Sequence, residues 1–394
     1  MEYLGERPLR ILAADDSAVM RGIMRHLFLT HGVDAERELP RMELCGVARD
    51  GVECLEAVRQ LKPDVLVLDL EMPRLNGLEV LERLRRESPR LPVIMCSSHT
   101  EHGARSTLEA LARGASDYVM KPVEQKDFAS ALLSLAQQLL PRVAALAKGT
   151  RKERTDKSGQ ARSDVARVGA GATIELVVIG LSTGGPSALE QMLPRLSADF
   201  PVPVMIVQHM PKLFTGPLAE RLNKCCPLRV EQAYDGAVLR PGTVWMAPGD
   251  SHMEVADGVL GEEAQRRGRV KLHQRELLNH CRPSVDYLFF SAARMYGAGT
   301  LALMMTGMGS DGLDGAKAVH ERGGVVLAQD EATSAVWGMP GRVSEAGIAS
   351  ATLPLDALAD ELMQRTYAGR VRRMPVQHHA AISIARGEVI HGLL

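Results

Sequence analysis

Short apolar runs without polar alternation, separated by segments of helical periodicity, constrain the fold of this chain more than any other feature. Such runs occur at residues 9–13, 64–69, 92–96 and 118–120, and again at 174–179, 202–207, 244–247, 300–305 and 325–328. Strands that are apolar on both faces are typical of parallel sheets covered by helices on each side. The sequence therefore predicts an α/β protein with doubly wound parallel sheets, the first of them completed by an apolar helix over residues 128–140.

A polar stretch divides the two sets of apolar runs. Residues 148–171 read KGTRKERTDKSGQARSDVARVGAG, and a segment so rich in charge, serine and glycine buries too little apolar surface to offset its ordering entropy. At 394 residues the chain is long enough for two domains. We expect a first domain over 1–142, a flexible linker over 143–172, a second domain over 173–370 and a C-terminal tail over 371–394.

Composition argues against several functional classes. The formal net charge is −1, so bulk charge gives no reason to expect a nucleic-acid partner. The N-terminal segment does not have the pattern of a secretory signal, and no run approaches the ~20 apolar residues of a membrane helix. We expect a cytoplasmic protein without direct membrane insertion. The 6 cysteines form no C-x-x-C pair and predict neither a disulfide framework nor a structural zinc site.

Charged and hydroxyl side chains follow the predicted strands of the first domain. Asp15 and Asp16 come after the first run, Asp69 ends the next, and Ser97 and Lys121 follow the last two. Because the carboxyl ends of parallel strands meet at one edge, these groups should lie together. Each aspartate alone would be a helix cap or turn residue. Jointly, the carboxylates favour a hard cation such as Mg²⁺, and the hydroxyl and ammonium would hold a phosphoryl group.

Four segments of the first domain, ADDSAVMR, VLVLDLEMPRLNGLEVL, IMCSS and GASDYVMKP, resemble the receiver domain of two-component response regulators. The resemblance covers about residues 9–140 and implies a flavodoxin-like fold that accepts phosphate from a histidine kinase in the presence of Mg²⁺. It implies a cis peptide before Pro122, and it leaves open what the unusually long stretch 26–45 contacts. The implied site consists of the phosphoacceptor Asp69, Mg²⁺ ligands Asp15, Asp16, Asp69 and the Glu71 carbonyl, phosphoryl contacts Ser97 and Lys121, and the aromatic switch Tyr118.

A glycine-rich turn follows the first apolar run of the second domain. Gly180-Leu181-Ser182-Thr183-Gly184 matches the G-x-S-x-G nucleophile elbow, whereas Ser182 occupies the second glycine position of the G-x-G-x-x-G dinucleotide pattern and breaks it. The turn would expose the serine hydroxyl beside a helix N-terminus, which stabilises a developing anion. The motif alone leaves a second interpretation open, in which Ser182 or Thr183 merely caps the helix.

A candidate base and a candidate orienting acid follow two further strands. His209 comes just after the run 202–207, and Asp311 lies in a glycine-rich turn after the run 300–305. Alone, each is more simply structural. Three such residues at three strand ends favour a triad of nucleophile Ser182, general base His209 and orienting Asp311. The order Ser, His, Asp differs from the Ser, Asp, His order of α/β-hydrolases and argues against that fold.

Six segments of the second domain resemble, in their order, the catalytic domain of chemotaxis protein-glutamate methylesterases, the CheB family: IGLSTGGPSAL, IVQHMPKLFTGPLAERLN, WMAPGDSHMEV, RPSVDYLF, LMMTGMGSDGLDGAKAV and AQDEATSAVWGMP. Over about residues 173–368, the resemblance implies a Rossmann-like domain that hydrolyses glutamate 5-methyl esters of chemoreceptors through Ser182, without a cofactor. It also implies glutamine deamidation and activation by the phosphorylated receiver. Candidate oxyanion or substrate contacts are Met308, Gly309, Thr183 and Arg282.

Two other functions stay open at this level. A general carboxylesterase would turn over small chromogenic esters rapidly, and a phosphorylation-controlled adaptor would bind partners without catalysis. A response-regulator transcription factor would need a basic helix-turn-helix, and the α/β pattern after the polar stretch disfavours it.

Overall fold

The computed structural model describes residues 7–31, 39–122, 127–155, 172–258 and 268–371. Much of the expected linker (156–171) and nearly all of the expected tail (372–394) lie outside these residues, as does part of the long stretch 26–45. The described residues form two parallel sheets, each with helices on both faces, and a small antiparallel hairpin. The expected α/β class is therefore confirmed.

The first domain contains a 5-stranded parallel sheet in the order β2-β1-β3-β4-β5. Its edge strand β2 was not predicted, because it mixes polar and small residues that are only half-buried. The elements are β1 Leu9–Ala14, α1 Ala18–His31, β2 Met42–Ala48, α2 Gly51–Leu61, β3 Val65–Asp69, α3 Gly77–Glu87, β4 Val93–Ser97, α4 Glu101–Ala112, β5 Asp117–Met120 and α5 Phe128–Thr155.

Helix α5 is longer than the sequence predicts. Its predicted end at Leu140 is wrong, since the helix continues through Pro141 to Thr155. The continuation is stabilised by apolar burial, with Val143, Leu146 and Ala147 all at most 4% exposed. The first part of the expected linker, from residue 143 to residue 155, is therefore helical.

The second domain contains a 7-stranded sheet in the order β14-β13-β12-β6-β7-β9-β8, and every strand pair in it is parallel. A separate antiparallel pair, β10 and β11, lies beside it. The elements are β6 Leu176–Leu181, α6 Gly185–Met192, β7 Val204–Gln208, α7 Lys212–Cys225, β8 Arg229–Gln232, β9 Thr243–Met246, β10 His252–Ala256, β11 Arg269–His273, α8 Val285–Tyr296, β12 Thr300–Met304, α9 Leu313–Glu321, β13 Val325–Gln329, α10 Met339–Glu345, β14 Ala351–Leu353 and α11 Leu355–Val371.

The central strands β12, β6 and β7 are fully buried along their lengths. Burial on both faces explains why their sequences are continuous apolar runs rather than alternating ones. Their register is parallel, so that Leu303 and Met304 lie opposite Ile179 and Gly180, and Val207 lies opposite Gly180 on the other side. The loops that leave these three strands consequently open at one edge of the sheet.

Candidate active site

Ser182, His209 and Asp311 meet at this edge. Ser182 follows the last residue of β6, and His209 follows the last residue of β7. The backbone ties the loops together, because the Ser182 amide donates to the Thr306 carbonyl and the His209 amide to the Leu181 carbonyl, both at 3.0 Å. The structure thus brings together the three residues that the sequence predicts as a triad.

His209 and Asp311 form a short ion pair, with Nε2 2.7 Å from Oδ2 of the carboxylate. Burial disfavours a charged imidazole, but hydrogen bonds to Asp311 and Cys281 outweigh it and raise the pKa of His209 to about 10. Burial likewise disfavours the carboxylate, yet the hydrogen bond from His209 leads the contributions that hold the pKa of Asp311 below its ordinary value. Both shifts favour the charged pair.

Three further donors fix the Asp311 carboxylate. Ser284 Oγ donates to Oδ1 at 2.6 Å, the Val285 amide to Oδ2 at 2.6 Å, and Asn279 Nδ2 to Oδ1 at 2.9 Å. A buried carboxylate with this many donors has one orientation, and it holds the imidazole in turn. The sequence analysis did not identify Asn279, because an isolated asparagine in a loop carries no periodic or motif signal.

The nucleophile turn is shaped by two glycines. Gly184 has φ 78°, a left-handed conformation that lets the chain turn from β6 into α6. A Cβ added at Gly307 would lie 2.9 Å from Ser182 Cβ, so only glycine permits this approach. Gln208 Nε2 donates to the Ser182 carbonyl at 2.9 Å and holds the turn from the side of β7.

Of the four residues expected to contact the oxyanion or the substrate, two have backbone amides left unpaired by the described residues and two have side chains that are already hydrogen-bonded. Among the described residues, the Met308 and Gly309 amides donate to no acceptor, as oxyanion donors require before substrate binds. Arg282 is instead held by Asp250, with Nε and Nη2 at 2.8 and 2.6 Å from one carboxylate oxygen. Thr183 is also occupied, because its hydroxyl donates to Asp117 Oδ2 at 2.7 Å.

Asp117 belongs to β5 of the first domain, so the two domains meet beside the nucleophile. Arg142 Nε lies 3.1 Å from the same Asp117 oxygen and fixes it. Tyr118 stacks on Phe214 of α7, with ring centroids 4.6 Å apart. Met308 packs against an apolar cluster that includes residues of α5. The first domain therefore contacts the second through residues of both β5 and α5.

A cavity of about 430 Å³ remains between the domains at this position. Ser182, His209 and Cys281 line it from the second domain, and Tyr118 and Gln138 line it from the first. A ligand in this cavity would touch the triad and the first domain together. The first domain consequently forms part of the wall of the space that faces Ser182.

The predicted acidic pocket is also assembled. Asp15 and Asp69 are each 2% exposed, Asp16 is exposed, and carboxylate oxygens of the three lie within 4.8 Å of one another. Lys121 Nζ lies 3.1 Å from Asp15 Oδ2 and 2.8 Å from Asp69 Oδ2. Desolvation and the Asp15 charge, opposed by Lys121, raise the pKa of Asp69 to about 6.

This donor set fits Mg²⁺. No well-aligned hydrogen bond from the described residues reaches Asp15 Oδ2 or Asp69 Oδ2, although both atoms are buried. Lys121 alone faces the two buried carboxylates, and the excess negative charge of the three carboxylates is expensive unless a further cation compensates it. Beside the carboxylates, Ser97 Oγ accepts a hydrogen bond from Thr107 Oγ1 at 2.7 Å.

The prediction of a cis peptide bond before Pro122 is wrong. Among the described residues, the cis bond is at Arg282–Pro283 instead.

Comparison with known proteins assigns both domains. The family model for the CheB methylesterase matches residues 177–362, and the model for the response regulator receiver domain matches residues 11–133. The protein-glutamate methylesterase/protein-glutamine glutaminase of Trichodesmium erythraeum (strain IMS101) is 41% identical over 362 residues, which cover 90% of this chain and 98% of that protein. The chain belongs to the CheB methylesterase family. The Thermotoga maritima relative of the same name is 38% identical over 91% of this chain and 99% of that protein.

Membership of the CheB family confirms the resemblances stated from sequence, and the chain is accordingly a hydrolase coupled to a receiver domain. The solved catalytic domain of the Thermotoga maritima CheB protein aligns with 49% of this chain and 99% of its own length, at 39% identity and a TM-score of 0.46. None of the helices in the described ranges has the length and apolar character needed to span a bilayer.

Proposed function

We propose that Ser182, His209 and Asp311 hydrolyse glutamate 5-O-methyl esters on chemoreceptors, and that the receiver domain controls this reaction through Asp69. The observation that carries the proposal is the 2.7 Å pair between His209 and Asp311 beside Ser182. The two residues follow β7 and β12, the strands on either side of β6, which leads into Ser182. The methyl ester as substrate is supported by the names of relatives that match over nine-tenths of this chain.

The geometry sets the direction of proton transfer. The base is the neutral imidazole of His209, in which Nε2–H donates to Asp311 and Nδ1 carries the lone pair. Nδ1 takes the proton as Ser182 Oγ attacks the ester carbonyl carbon, and the raised pKa favours the imidazolium that this transfer forms. The backbone amides of Met308 and Gly309 would stabilise the oxyanion. Return of the proton to the methoxy oxygen breaks the C–O bond and releases methanol. Water then attacks the acyl-enzyme by the reverse sequence, which leaves a glutamate carboxylate and free Ser182.

The same chemistry accommodates a second substrate. A glutamine side chain attacked by Ser182 gives the same acyl-enzyme, with ammonia leaving in place of methanol. Relatives named protein-glutamine glutaminase support this activity. We propose it for this chain as a slower reaction of the same triad, because an amide is less reactive than an ester.

In the receiver, we propose that the Asp69 carboxylate attacks the phosphorus of a kinase phosphohistidine, forming a P–O bond as the P–N bond breaks. Asp15, Asp16, Asp69 and the Glu71 carbonyl would hold Mg²⁺, which neutralises phosphoryl oxygens when bound. Lys121 and Ser97 would contact the remaining oxygens. The buried carboxylates of Asp15 and Asp69, which share the single ammonium of Lys121, support this assignment.

Regulation follows from the contacts between the domains. Tyr118 and Asp117 are neighbours in β5, and both contact the catalytic domain beside Ser182. If Tyr118 turns toward phosphorylated Asp69, its stacking on Phe214 is lost and the Asp117 carboxylate shifts away from Thr183. Phosphorylation would thereby favour an open state in which a receptor segment reaches the triad. A gain of ten- to a hundredfold corresponds to roughly 1.4–3 kcal/mol of differential stabilisation.

The proposal is tested by measuring methanol release from methylated receptor fragments, with and without acetyl phosphate and Mg²⁺. We expect slow release that the phosphodonor accelerates. Ser187→Ala, in helix α6 beyond the nucleophile turn, is the matched control for Ser182→Ala and should behave like the wild type. Rapid turnover of small chromogenic esters without receptor methanol release would favour a general carboxylesterase. Binding of receptor fragments without any methanol release would favour an adaptor.

A further inference from the structure

Cys281 is the residue of the active site for which the proposed hydrolysis has no role. Its Sγ lies 3.7 Å from Nδ1 of His209, the nitrogen that must serve Ser182. Both side chains line the cavity between the domains. A sulfur and an imidazole nitrogen that face one space are a pair of ligands for a borderline metal ion.

We propose that His209 Nδ1 and Cys281 Sγ form an inhibitory zinc site that blocks the triad. The inference rests on the proposed role of His209 as the base, because zinc on Nδ1 removes the lone pair that accepts the Ser182 proton. Binding replaces the thiol proton by a Zn–S bond and, when the imidazole is charged, the Nδ1 proton by a Zn–N bond. These protons are released to solvent, with no change of oxidation state. Water in the cavity would supply the remaining ligands.

The spacing supports this site. Bond lengths of about 2.3 Å to sulfur and 2.0–2.1 Å to nitrogen at a tetrahedral angle place the two ligand atoms ~3.6 Å apart. The observed distance of 3.7 Å already matches this value, so zinc would bind without rearrangement of the loop that carries Cys281. The cavity of about 430 Å³ provides an entry path and room for water ligands.

The surroundings of His209 also suit a metal ligand. Asp311 holds the opposite ring nitrogen at 2.7 Å, and a carboxylate in this position orients histidine ligands and raises their basicity in zinc sites. An Asp311 carboxylate oxygen, a ring nitrogen of His209 and Cys281 Sγ all lie within 4.8 Å of one another. Because the carboxylate already accepts bonds from Ser284, Val285 and Asn279, we assign it the orienting role and not a place on the metal.

Ligand chemistry separates this site from the acidic pocket of the receiver. Nitrogen and sulfur select zinc or cobalt, whereas the all-oxygen set around Asp69 selects Mg²⁺. Zinc should therefore inhibit the enzyme at concentrations where Mg²⁺ only supports receiver phosphorylation. Mg²⁺ would support activation of the enzyme through the receiver, and Zn²⁺ would inhibit it at the triad.

The test uses Co²⁺ as a spectroscopic substitute for zinc on the full-length chain, so that its readout does not depend on activity. Thiolate coordination should give a sulfur-to-cobalt charge-transfer band that Zn²⁺ displaces. The band should be present in Ser182→Ala and lost in both Cys281→Ala and Cys281→Ser, with folding checked by circular dichroism. Cys225→Ala, which removes an exposed thiol, is the matched control and should keep the band. If the wild type shows no band, or if Cys281→Ala retains it, the site is wrong.

Activity provides the second readout, as the ratio of rates with and without zinc in the same protein. A zinc concentration that lowers the wild-type rate about tenfold should lower the Cys281→Ala rate by less than about twofold, because loss of a ligand weakens metal binding strongly. Equal inhibition of both proteins would place the inhibitory metal elsewhere. A band that depends on Cys281 without hydrolytic activity in any variant would support the metal site and contradict the proposed hydrolysis.

Discussion

The receiver pocket and the catalytic site occupy the same place in two parallel sheets, yet their charges are balanced in different ways. Around Asp69, Lys121 faces two buried carboxylates and leaves oxygens without aligned hydrogen bonds. Around Asp311, the carboxylate has an imidazole and three further donors. In the proposed function, a cation and a phosphoryl group complete the first site. The second is preorganised and needs only access to its substrate.

This difference in charge balance suggests that the receiver domain acts as the switch and the second domain carries out the hydrolysis. A pocket with uncompensated charge changes its structure when ligands bind, because their interaction free energy is large. The Asp311 carboxylate already has its donors in place, so we expect the catalytic site to be controlled through access. The Asp117–Thr183 and Tyr118–Phe214 contacts connect the receiver domain to the catalytic domain.

Removing the nucleophile should have the largest effect. Ser182→Ala deletes the covalent route, and we expect methanol release to fall by at least about four orders of magnitude, as for other triad nucleophiles. His209→Gln should match it, and the double variant should be little worse because the triad acts as a unit. If Ser182→Ala kept activity within about tenfold of the wild type, Ser182 would not be the nucleophile and the catalytic site would be wrongly assigned.

Disrupting the pair between His209 and Asp311 should have the second-largest effect on activity. Asp311→Asn should lower turnover by about 10²–10⁴-fold through loss of imidazole orientation. It should also move the His209 titration, followed by imidazole nitrogen shifts, from about 10 toward the ordinary value of 6.5. A raised His209 pKa stabilises the fold below 6.5, and this contribution is lost as pH rises through about 10. The stability difference between the two proteins should therefore shrink as the pH rises from 6.5 to about 10. If the pKa of His209 were the same in Asp311→Asn as in the wild type, Asp311 would not be the group that raises it.

The receiver pocket should affect regulation and leave the chemistry intact. Asp69→Asn should abolish phosphate incorporation from acetyl phosphate and remove the ten- to a hundredfold activation, with the basal rate unchanged within about twofold. Incorporation in the wild type should require Mg²⁺. Labelled phosphate on the Asp69→Asn protein would show that another residue is the acceptor.

The smallest expected effect concerns the contact beside the nucleophile. Asp117→Ala removes the hydrogen bond from Thr183. Because the freed hydroxyl can bond to water, we expect a net loss of about 0.5–1.5 kcal/mol and a severalfold rise in unphosphorylated activity. Glu220→Gln breaks the exposed interdomain pair with Arg105, and exposed pairs contribute little, so it should change the rate by less than about twofold. Equal effects of the two substitutions would show that the Asp117 contact has no special part in inhibition.

The sequence predicts the site residues better than the contacts between the domains. Strand ends and motifs locate Ser182, His209 and Asp69, because parallel strands bring their carboxyl ends together. Asn279, Cys281 and Asp117 could not be predicted in this way, since their roles depend on which loop or domain packs against them. The end of α5 was missed for a related reason: Val143 and Leu146 are buried only because other elements pack on them.

The most direct test of the central claim compares methanol release by the full-length chain and by a fragment starting at Ala172, on the same methylated receptor. Circular dichroism establishes that the fragment is folded, and Ser182→Ala in the fragment gives the background. If the receiver restricts access to the triad, the fragment should exceed the unphosphorylated full-length chain by ten- to a hundredfold, or roughly 1.4–3 kcal/mol, and acetyl phosphate should not change its rate. A folded fragment no faster than the unphosphorylated chain would contradict the account, and activation would then have to come from contacts that the phosphorylated receiver adds.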